Sequence, residues 1–524
     1  MMQRFLFAVL VFVFSSVAVQ AACSGSGTTW SCPAGSSASN VQSAVDSASN
    51  GATITLANGS YSWSSTILVS NSKGVTLICA SAGGCTISSS ANPVFGMSTY
   101  PGNTNTNLYR ISGFVANLSG GSFVWFGNAC SGCTGTLTQV RVDHNTLNYS
   151  GSSTPVGIFF GENSSVTNTY GVLDHNTFTS EGSAMLMQMI GATNNAPPSS
   201  PLGTANNMFV EDNTVKIATI TDTGTGCMDS WGSQAIVWRH NTSTNCLVTA
   251  HGVTHNGGPS NIEVYNNSIG VNSGASAVGL ADGYRLFHHQ GSGELMIFNN
   301  SLTSYSGKNG DAIALLHYRD YAQGPSIDGA IAACDGTQNR DGNRSGAYGY
   351  PCWHQPGRDP ATGTYMPIYV WNNYWSDTKA LVPLILEDQG GGTPPGCSSN
   401  CDYKSYHMVA NREAFNAVSA SAQTSSTSPF NGSSGMGFGT LSNRPSNCTT
   451  SSETAYGNGA AGVGYFATDQ GSQGTLYTCS ATNTWTVYYA PYTYPHPLVS
   501  GSPAPPPTSG GAPAPPKNLV LVVQ

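Results

Sequence analysis

The chain has 524 residues and a net charge of −8, and only 8% of its residues are charged. Its 17 Lys and Arg residues are too few for the broad basic surface that a nucleic-acid-binding protein needs. The 62 glycines and the dense Ser, Thr and Asn favour turn-rich β structure, and no long stretch shows the apolar spacing of a helix.

The N-terminal segment MMQRFLFAVLVFVFSSVAVQA places Arg4 before an apolar run and ends in small residues at Ala21. This pattern predicts a secretory signal over residues 1–21, and therefore an extracellular protein. Cys23 follows, but Gln20 stands where a lipid-attachment motif has an aliphatic residue, so no lipid anchor is expected. No later apolar run is long enough to cross a bilayer.

The chain contains 14 Cys, an even number, which in an exported protein predicts disulfides. Their spacing predicts local pairs: Cys23/Cys32, Cys79/Cys85, Cys130/Cys133, Cys227/Cys246, Cys334/Cys352, Cys397/Cys401 and Cys448/Cys479. The chain has no second Cys-x-x-Cys motif besides the one at 130–133. This favours a loop closed by a disulfide over a zinc or redox site.

A repeat runs through the middle of the chain. Seven short apolar-alternating segments end in Asn: VRVDHN (140–145), GVLDHN (171–176), MFVEDN (208–213), IVWRHN (236–241), IEVYNN (262–267), LMIFNN (295–300) and IYVWNN (368–373). Their spacing is typical of a parallel β-solenoid in which each coil contributes one such strand. The long gap after Asn300 predicts a skipped coil and an insertion.

Two columns of the repeat predict its geometry. The Asn column predicts a turn that needs a left-handed residue, with side-chain amides bonded from coil to coil. The residues three positions earlier are all apolar and are expected to face the interior: Val142, Leu173, Val210, Trp238, Val264, Ile297 and Val370.

Over roughly residues 40–400 the chain resembles the right-handed parallel β-helix proteins of the pectate-lyase-like superfamily. VRVDHN and VLDHN are similar to the WIDH-type strand of pectate lyases, whose Asp lies near a calcium site. The resemblance implies an all-β fold with the β-helix over 22–417, including a cap of one helix and a first coil near its start. The chain departs from the family in lacking the Arg-x-Pro-x-x-Arg segment that supplies the catalytic base, and in lacking the ordered polygalacturonase motifs.

Beyond the repeat, residues 418–500 are interpreted as a C-terminal cap or small β element that covers the end of the solenoid. Residues 501–524 are interpreted as a Pro/Gly/Ser-rich linker followed by one terminal strand.

Side chains two positions before the Asn should face outward. This outward column holds carboxylates, one guanidinium and then aromatic rings: Asp143, Asp174, Glu211, Arg239, Tyr265, Phe298 and Trp371. Three carboxylates stacked about 4.8 Å apart repel one another unless a cation neutralises them, and Ca²⁺ is the expected metal. Arg239 is then a candidate catalytic residue, and the aromatic rings are candidates for stacking on sugars. Surface carboxylates and aromatic ladders are also common without any function.

A second group of candidates is rich in His. A gapless alignment of three coils places Asp229, His255 and His288 in one column, with Arg285 close to it and with His317 and Arg319 in ALLHYRDY. Such a group suits acid–base catalysis, substrate binding or transition-metal binding, although a hydrogen-bonded His ladder would have the same pattern. His144, His175 and His240, beside the Asn column, are interpreted as turn residues.

Three functions remain open from the sequence. The first is a secreted, monomeric enzyme that depolymerises a uronate-containing polysaccharide by β-elimination, with Arg239, Arg285, His255, His288 and Asp229 as catalytic candidates. The second is a glycoside hydrolase, with two carboxylates from Asp143, Asp174 and Glu211, or Asp229 with Asp282. The third is a non-catalytic adhesin, since the fold alone does not define a function. An enzyme predicts a cleft over the outward column, formed by the insertions at 177–207 and 303–360.

Overall fold

The computed structural model describes residues 22–70, 73–98, 107–127, 135–150, 156–160, 166–182, 184–190, 202–218, 227–231, 235–246, 248–250, 261–270, 287–289, 292–303, 312–317, 355–359, 365–388, 408–417, 430–451 and 461–500. The predicted signal over 1–21 and the predicted tail over 501–524 lie outside these residues. None of the helices in the described ranges is long and apolar enough to cross a membrane.

The described residues form a parallel β-helix, as the repeat predicted. Three long sheets run along it, and sheet A follows the strand order Ser24–Ser26, Thr29–Cys32, Ala52–Leu56, Val75–Cys79, Tyr109–Ser112, Gly135–Asp143, Val166–Asp174, Met208–Glu211, Ile236–Arg239, Ile262–Tyr265, Leu295–Phe298, Ile368–Trp371 and Ala414–Asn416. Its first two strands form an antiparallel hairpin, and its other strands pair in parallel.

Sheets B and C complete each coil. Sheet B contains Gly59–Trp63, Cys85–Ser89, Phe114–Leu118, Thr146–Tyr149, Thr177–Ser180, Thr214–Ile217, Thr242–Thr244, Ser268–Gly270, Ser301–Leu302 and Tyr374–Trp375. Sheet C contains Ile67–Ser70, Phe95–Ser98, Val124–Phe126, Val156–Phe160, Met185–Ile190, Met228–Trp231, Val248–Ala250, Phe287–His289, Ile313–His317 and Leu384–Asp388. Each coil therefore passes through A, then B, then C.

The predicted apolar column lies in the interior. Val142, Leu173, Val210, Trp238, Val264, Ile297 and Val370 are buried in one hydrophobic cluster that runs through the solenoid. At the N-terminal end a helix, Ala38–Ser47, packs Val41, Ala44 and Val45 against this cluster, and the Ser37 side chain caps it by accepting a hydrogen bond from the Asn40 N–H.

The Asn column forms a continuous ladder. Six hydrogen bonds join the seven Asn side chains: the amide of one Asn donates to the amide oxygen of the next, beginning with Asn145 to Asn176 at 3.0 Å and ending with Asn300 to Asn373 at 2.8 Å. The left-handed residue is the one before each Asn, not the Asn itself: His144, His175, Asp212, His240, Asn266, Asn299 and Asn372. The Asn is required for its side-chain hydrogen bonds rather than for its backbone conformation.

The long gap after Asn300 contains an insertion but no skipped coil. Leu295–Phe298 pairs directly with Ile368–Trp371, so the two strands are neighbours in sheet A. Four of the predicted disulfides are confirmed: Cys23–Cys32, Cys79–Cys85, Cys227–Cys246 and Cys448–Cys479. The other three predicted pairs lie outside the described residues.

The C-terminal element is a four-stranded sheet of Met436–Gly439, Gly464–Ala467, Thr475–Ala481 and Thr484–Tyr489, with a 3-10 turn at Leu441–Asn443. It begins beside the last strand of sheet A, where Ala417 forms a bridge to Met436. Residues of this element and of the segment that follows it pack on the outer face of sheet A in a second hydrophobic cluster. The element therefore covers one side of the solenoid, whereas the sequence suggested a cover at its end.

Candidate functional site

The predicted outward column of sheet A is aligned as expected. Neighbouring strands pair Asp143 with Asp174, Asp174 with Glu211, and Glu211 with Arg239, and the column continues through the three aromatic residues to Trp371. Each of the seven side chains is at most 1% exposed. They point away from the solenoid interior but are buried, which corrects the expectation of an open cleft over this column.

Arginines neutralise the three carboxylates. Asp143 lies 2.6 Å from Arg110, Asp174 lies 2.8 Å from Arg141, and Glu211 lies 2.6 Å from Arg239. Burial alone would raise the pKa of Asp143, but the hydrogen bond from Arg110 and the charge of Arg141 hold it below its usual value.

The pairing of Arg110 and Arg141 with these carboxylates was not predicted from the sequence. The available signal was their position: each lies two residues before an outward-facing residue of sheet A and so faces outward as well.

The three predicted metal ligands do not fit a calcium ion in this arrangement. Two of them, Asp143 and Asp174, do bring ligand atoms within 4.8 Å of one another and of His144, whereas Glu211, the third predicted ligand, is in no such group among the described residues. However, both oxygens of Asp143 accept hydrogen bonds from Arg110, and both oxygens of Asp174 accept from Arg141. A calcium ion needs several free oxygen ligands and would face two guanidinium charges here.

Arg239 has no N–H left for a substrate. Its Nε donates to Glu211, one terminal nitrogen donates to the Tyr265 hydroxyl and the Tyr492 carbonyl, and the other donates to the Thr493 carbonyl and pairs with Glu211. The guanidinium carries five N–H donors, so all are used. This residue joins the solenoid to the C-terminal segment and offers no hydrogen-bond donor for catalysis.

The aromatic part of the column is also covered. Tyr265 and Phe298 stack at 4.6 Å between ring centroids, and Phe298 stacks on Trp371 at 4.2 Å. Phe466 and Tyr489 of the C-terminal element pack on this stack. The rings bind one another and the C-terminal element, so they offer no face to a sugar.

Polar residues also stand in register on sheet C. Its strand pairing aligns Gln188 with Asp229, then Thr249, then His288. Gln188 and Asp229 alternate with interior residues such as Met187 and Met228, so their side chains lie on the outer side of the sheet. Asp229 is buried, and its carboxylate accepts a hydrogen bond of 3.2 Å from Gln188.

The register corrects the predicted place of His255. Asp229 and His288 share the column as predicted, but Thr249 stands between them. Eleven residues separate Val248–Ala250 from Ile262–Tyr265, against five between Phe287–His289 and Leu295–Phe298. An alignment without gaps ignores the extra length of this connection. It therefore puts His255 at the position in the column that Thr249 occupies.

Several other candidates cannot be placed as side chains. His255, Arg285 and Arg319 lie outside the described residues, and His288 and His317 are described by their backbone. In sequence, however, Arg285 lies two positions before the first residue of the strand Phe287–His289, and Arg319 lies two positions after the last residue of Ile313–His317. The register also sets His317 beside Asp388, a residue that the sequence analysis missed because 70 positions separate the two.

Within the solenoid, the longest connections between described strands flank sheet C. From Asn145 onward every turn from sheet A to sheet B contains two residues. By contrast, 16 residues precede the sheet C strand Phe287–His289, and 50 follow Ile313–His317. Another 17 follow Met185–Ile190, and 25 follow Leu384–Asp388. Long loops on a rigid scaffold commonly carry binding and catalytic residues.

No family model and no curated protein matches the chain. Among solved structures it is similar to a PL6 family polysaccharide lyase from Pseudopedobacter saltans, at 12% identity and a TM-score of 0.37, over 76% of this chain and 95% of that one. The class of protein is defined by the strand pairing itself: this chain is a parallel β-helix protein.

Proposed function

We propose that this protein is a secreted enzyme that depolymerises a uronate-containing polysaccharide by β-elimination, at a site on the outer side of sheet C. The observation that carries the proposal is the placement of the long connections on both sides of this sheet. From the strand Val166–Asp174 to the strand Ala414–Asn416, the outer face of sheet A is covered by the C-terminal element, so a polymer cannot reach it there. Four local disulfides are in keeping with an exported chain.

The residues on and beside sheet C suit this chemistry. A base removes the proton from C5 of the uronate, the C–H electrons form the C4–C5 double bond, and the C4–O bond breaks as its oxygen takes up a proton. We assign the base to His288, because a His titrates near neutral pH. We assign Arg285 to the uronate carboxylate, since its planar guanidinium can bind a carboxylate through two hydrogen bonds.

The distance between strands gives Asp229 and His288 different roles. Asp229 and His288 are two strands apart, which corresponds to about 9.6 Å along the solenoid. They therefore do not contact one another. In this arrangement the buried Asp229 orients the partly exposed Gln188 towards the neighbouring sugar unit, and His288 acts at the scissile bond.

The direct experiment incubates the protein with polygalacturonate, alginate and neutral glycans. Unsaturated uronate, measured by its ultraviolet absorbance, reports elimination, and new reducing ends without that absorbance report hydrolysis. We expect unsaturated products from an acidic substrate. Replacing His288 by Ala should reduce kcat by roughly 10²- to 10⁴-fold, as loss of a general base does.

His144→Ala is the matched control, because His144 lies at the exposed corner between sheets A and B. This variant should retain full activity. The predicted need for Ca²⁺ is tested in the same assay by adding a chelator. Reducing ends alone would favour the hydrolase, and binding of the polymers without either product would favour the adhesin.

A further inference from the structure

A polar cleft opens near the N-terminal end of the solenoid, where sheet B turns towards sheet C. Its volume is about 500 Å³, and it is lined by Ser62, Trp63, Ser64, Ser88, Ser89, Ser90, Asn117, Leu118, Ser119 and Ser150. This volume lies within the range of small-ligand sites. The cleft and the site proposed on sheet C lie on different sheets, and the cleft is on earlier coils of the solenoid.

The lining repeats from coil to coil. Strand pairing aligns Ser62 with Ser88 and Ser88 with Asn117. Each of these is followed two residues later by a turn serine: Ser64, Ser90 and Ser119. The cleft therefore presents two parallel rows of polar side chains along the solenoid axis, with steps of about 4.8 Å.

These hydroxyl groups are available to a ligand. Within the described residues, the side chains of Ser62, Ser64, Ser88, Ser90 and Ser119 make no hydrogen bond to another protein group. The amide oxygen of Asn117 accepts a hydrogen bond of 2.9 Å from Asn148, which fixes the orientation of its amide. Hydroxyls both donate and accept, so a row of them can match a ligand that is itself rich in hydroxyls.

The absence of charge in the lining narrows the ligand class. No Asp, Glu, Lys or Arg is among the residues that line the cleft. Along the rest of the described sheet B strands, the two outward rows consist mainly of Ser, Thr and Asn, and Lys216 is their one charged side chain. An acidic sugar would lose water at its carboxylate here without gaining a counter-ion.

We propose that this cleft binds an uncharged carbohydrate, extended along the solenoid axis across three coils. Sugar hydroxyls bond to the two polar rows, and the buried side chains of Trp63 and Leu118 form the floor beneath them. The site anchors a neutral glycan and takes no part in bond cleavage. It stands independently of the activity proposed for sheet C.

The experiment titrates the full chain with cellotetraose, xylotetraose and mannotetraose, and with tetragalacturonate as the acidic probe, by isothermal calorimetry. We expect at least one neutral tetrasaccharide to bind at least tenfold more tightly than the acidic one. Ser88→Lys places a long cation in the cleft, so it should weaken neutral binding at least tenfold and improve binding of tetragalacturonate.

Thr179→Lys is the matched control, because Thr179 faces outward from the same sheet beyond the cleft. It should leave neutral binding unchanged. Ser119→Lys provides a second test if Ser88→Lys does not fold. His288→Ala should bind neutral glycans like the parent, which separates this site from the catalytic proposal. Absence of neutral binding, tighter acidic binding by the parent, or binding unaffected by a folded cleft variant would each overturn the proposal.

Discussion

Asp143, Asp174 and Glu211 show how this chain buries charge on the outer face of a sheet. Each carboxylate lies 2.6–2.8 Å from an arginine. A buried ion pair contributes little net stability by itself, because both groups lose their hydration. Removing one partner is far more costly, since the remaining charge stays buried without compensation. The column therefore depends on its arginines rather than on a metal.

Arg239→Met is expected to lower the free energy of unfolding by about 3–5 kcal/mol, because it leaves Glu211 buried and unpaired. The change also removes the bonds to the carbonyls of Tyr492 and Thr493. Chemical denaturation followed by fluorescence measures the loss.

The matched control for this change is Lys216→Met on the exposed face of sheet B, which should alter stability by less than about 0.5 kcal/mol. Equal effects of the two substitutions would contradict the structural role assigned to Arg239.

The element that sets the shape of each coil is the two-residue turn between sheets A and B. Its first residue adopts the left-handed conformation, and its second is the ladder Asn. The Asn side chain satisfies backbone groups that the sharp turn removes from the sheets, such as the Leu173 carbonyl held by Asn213. The bonds continue from turn to turn, so the turns lock one another in register.

Asn213→Ala should therefore be strongly destabilising. The Asn213 amide donates to Leu173, Glu211 and Asn241, and its oxygen accepts two hydrogen bonds from Asn176. Several buried groups lose their partners together, at about 1–3 kcal/mol for each. We expect a loss of more than about 3 kcal/mol in chemical denaturation.

Asn148→Ala is the comparison for the ladder, because this Asn lies half-exposed on sheet B and makes one side-chain bond, to Asn117. Its loss should cost less than about 1 kcal/mol. If the two Asn substitutions cost the same, the ladder does not stabilise the coils as described.

At the scale of the whole molecule, the C-terminal segment is held across several coils. Arg141 donates to the Leu498 carbonyl, Glu211 accepts from the His496 N–H, and Glu263 accepts from the Tyr489 hydroxyl. Burial raises the pKa of Glu263. Burial also lowers the pKa of His496 to about 3, and the positive charges of Arg239 and Arg141 contribute to that lowering.

This docking makes stability depend on pH. The folded-state pKa of His496, about 3, lies below its usual value of 6.5, so the unfolded chain takes up a proton first as the pH falls. The stabilisation is complete above pH 6.5 and is lost between pH 6.5 and 3. At about 1.4 kcal/mol per pH unit, this group accounts for a loss of about 3 kcal/mol by pH 4.

His496→Asn removes the titrating group and leaves a side chain that can accept from the Leu498 N–H. Unfolding free energies of both proteins at pH 7, 5.5 and 4 should show a smaller acid loss for the variant. Curves that stay parallel over this range would contradict a buried, neutral His496.

By itself the sequence determined the solenoid. Its interior column and Asn ladder could be recognised because one strand pattern recurs in every coil, and alternation along a strand defines inward and outward positions. Four local disulfides were predictable from spacing alone. The shared column of Asp229 and His288 followed from the same repeat, whereas His255 was misplaced because a longer connection is invisible to a gapless alignment.

Only the tertiary structure decided which outward face is open. The cover over Tyr265, Phe298 and Trp371 comes from a segment more than 90 residues further along the chain, and nothing in a local pattern reveals such a contact. The arginines that pair with Asp143 and Asp174 likewise depend on which outward-facing side chains of neighbouring coils come into contact. The repeat fixes the direction in which a side chain points, but whether that side chain meets water, an arginine or another part of the chain is decided by long-range packing.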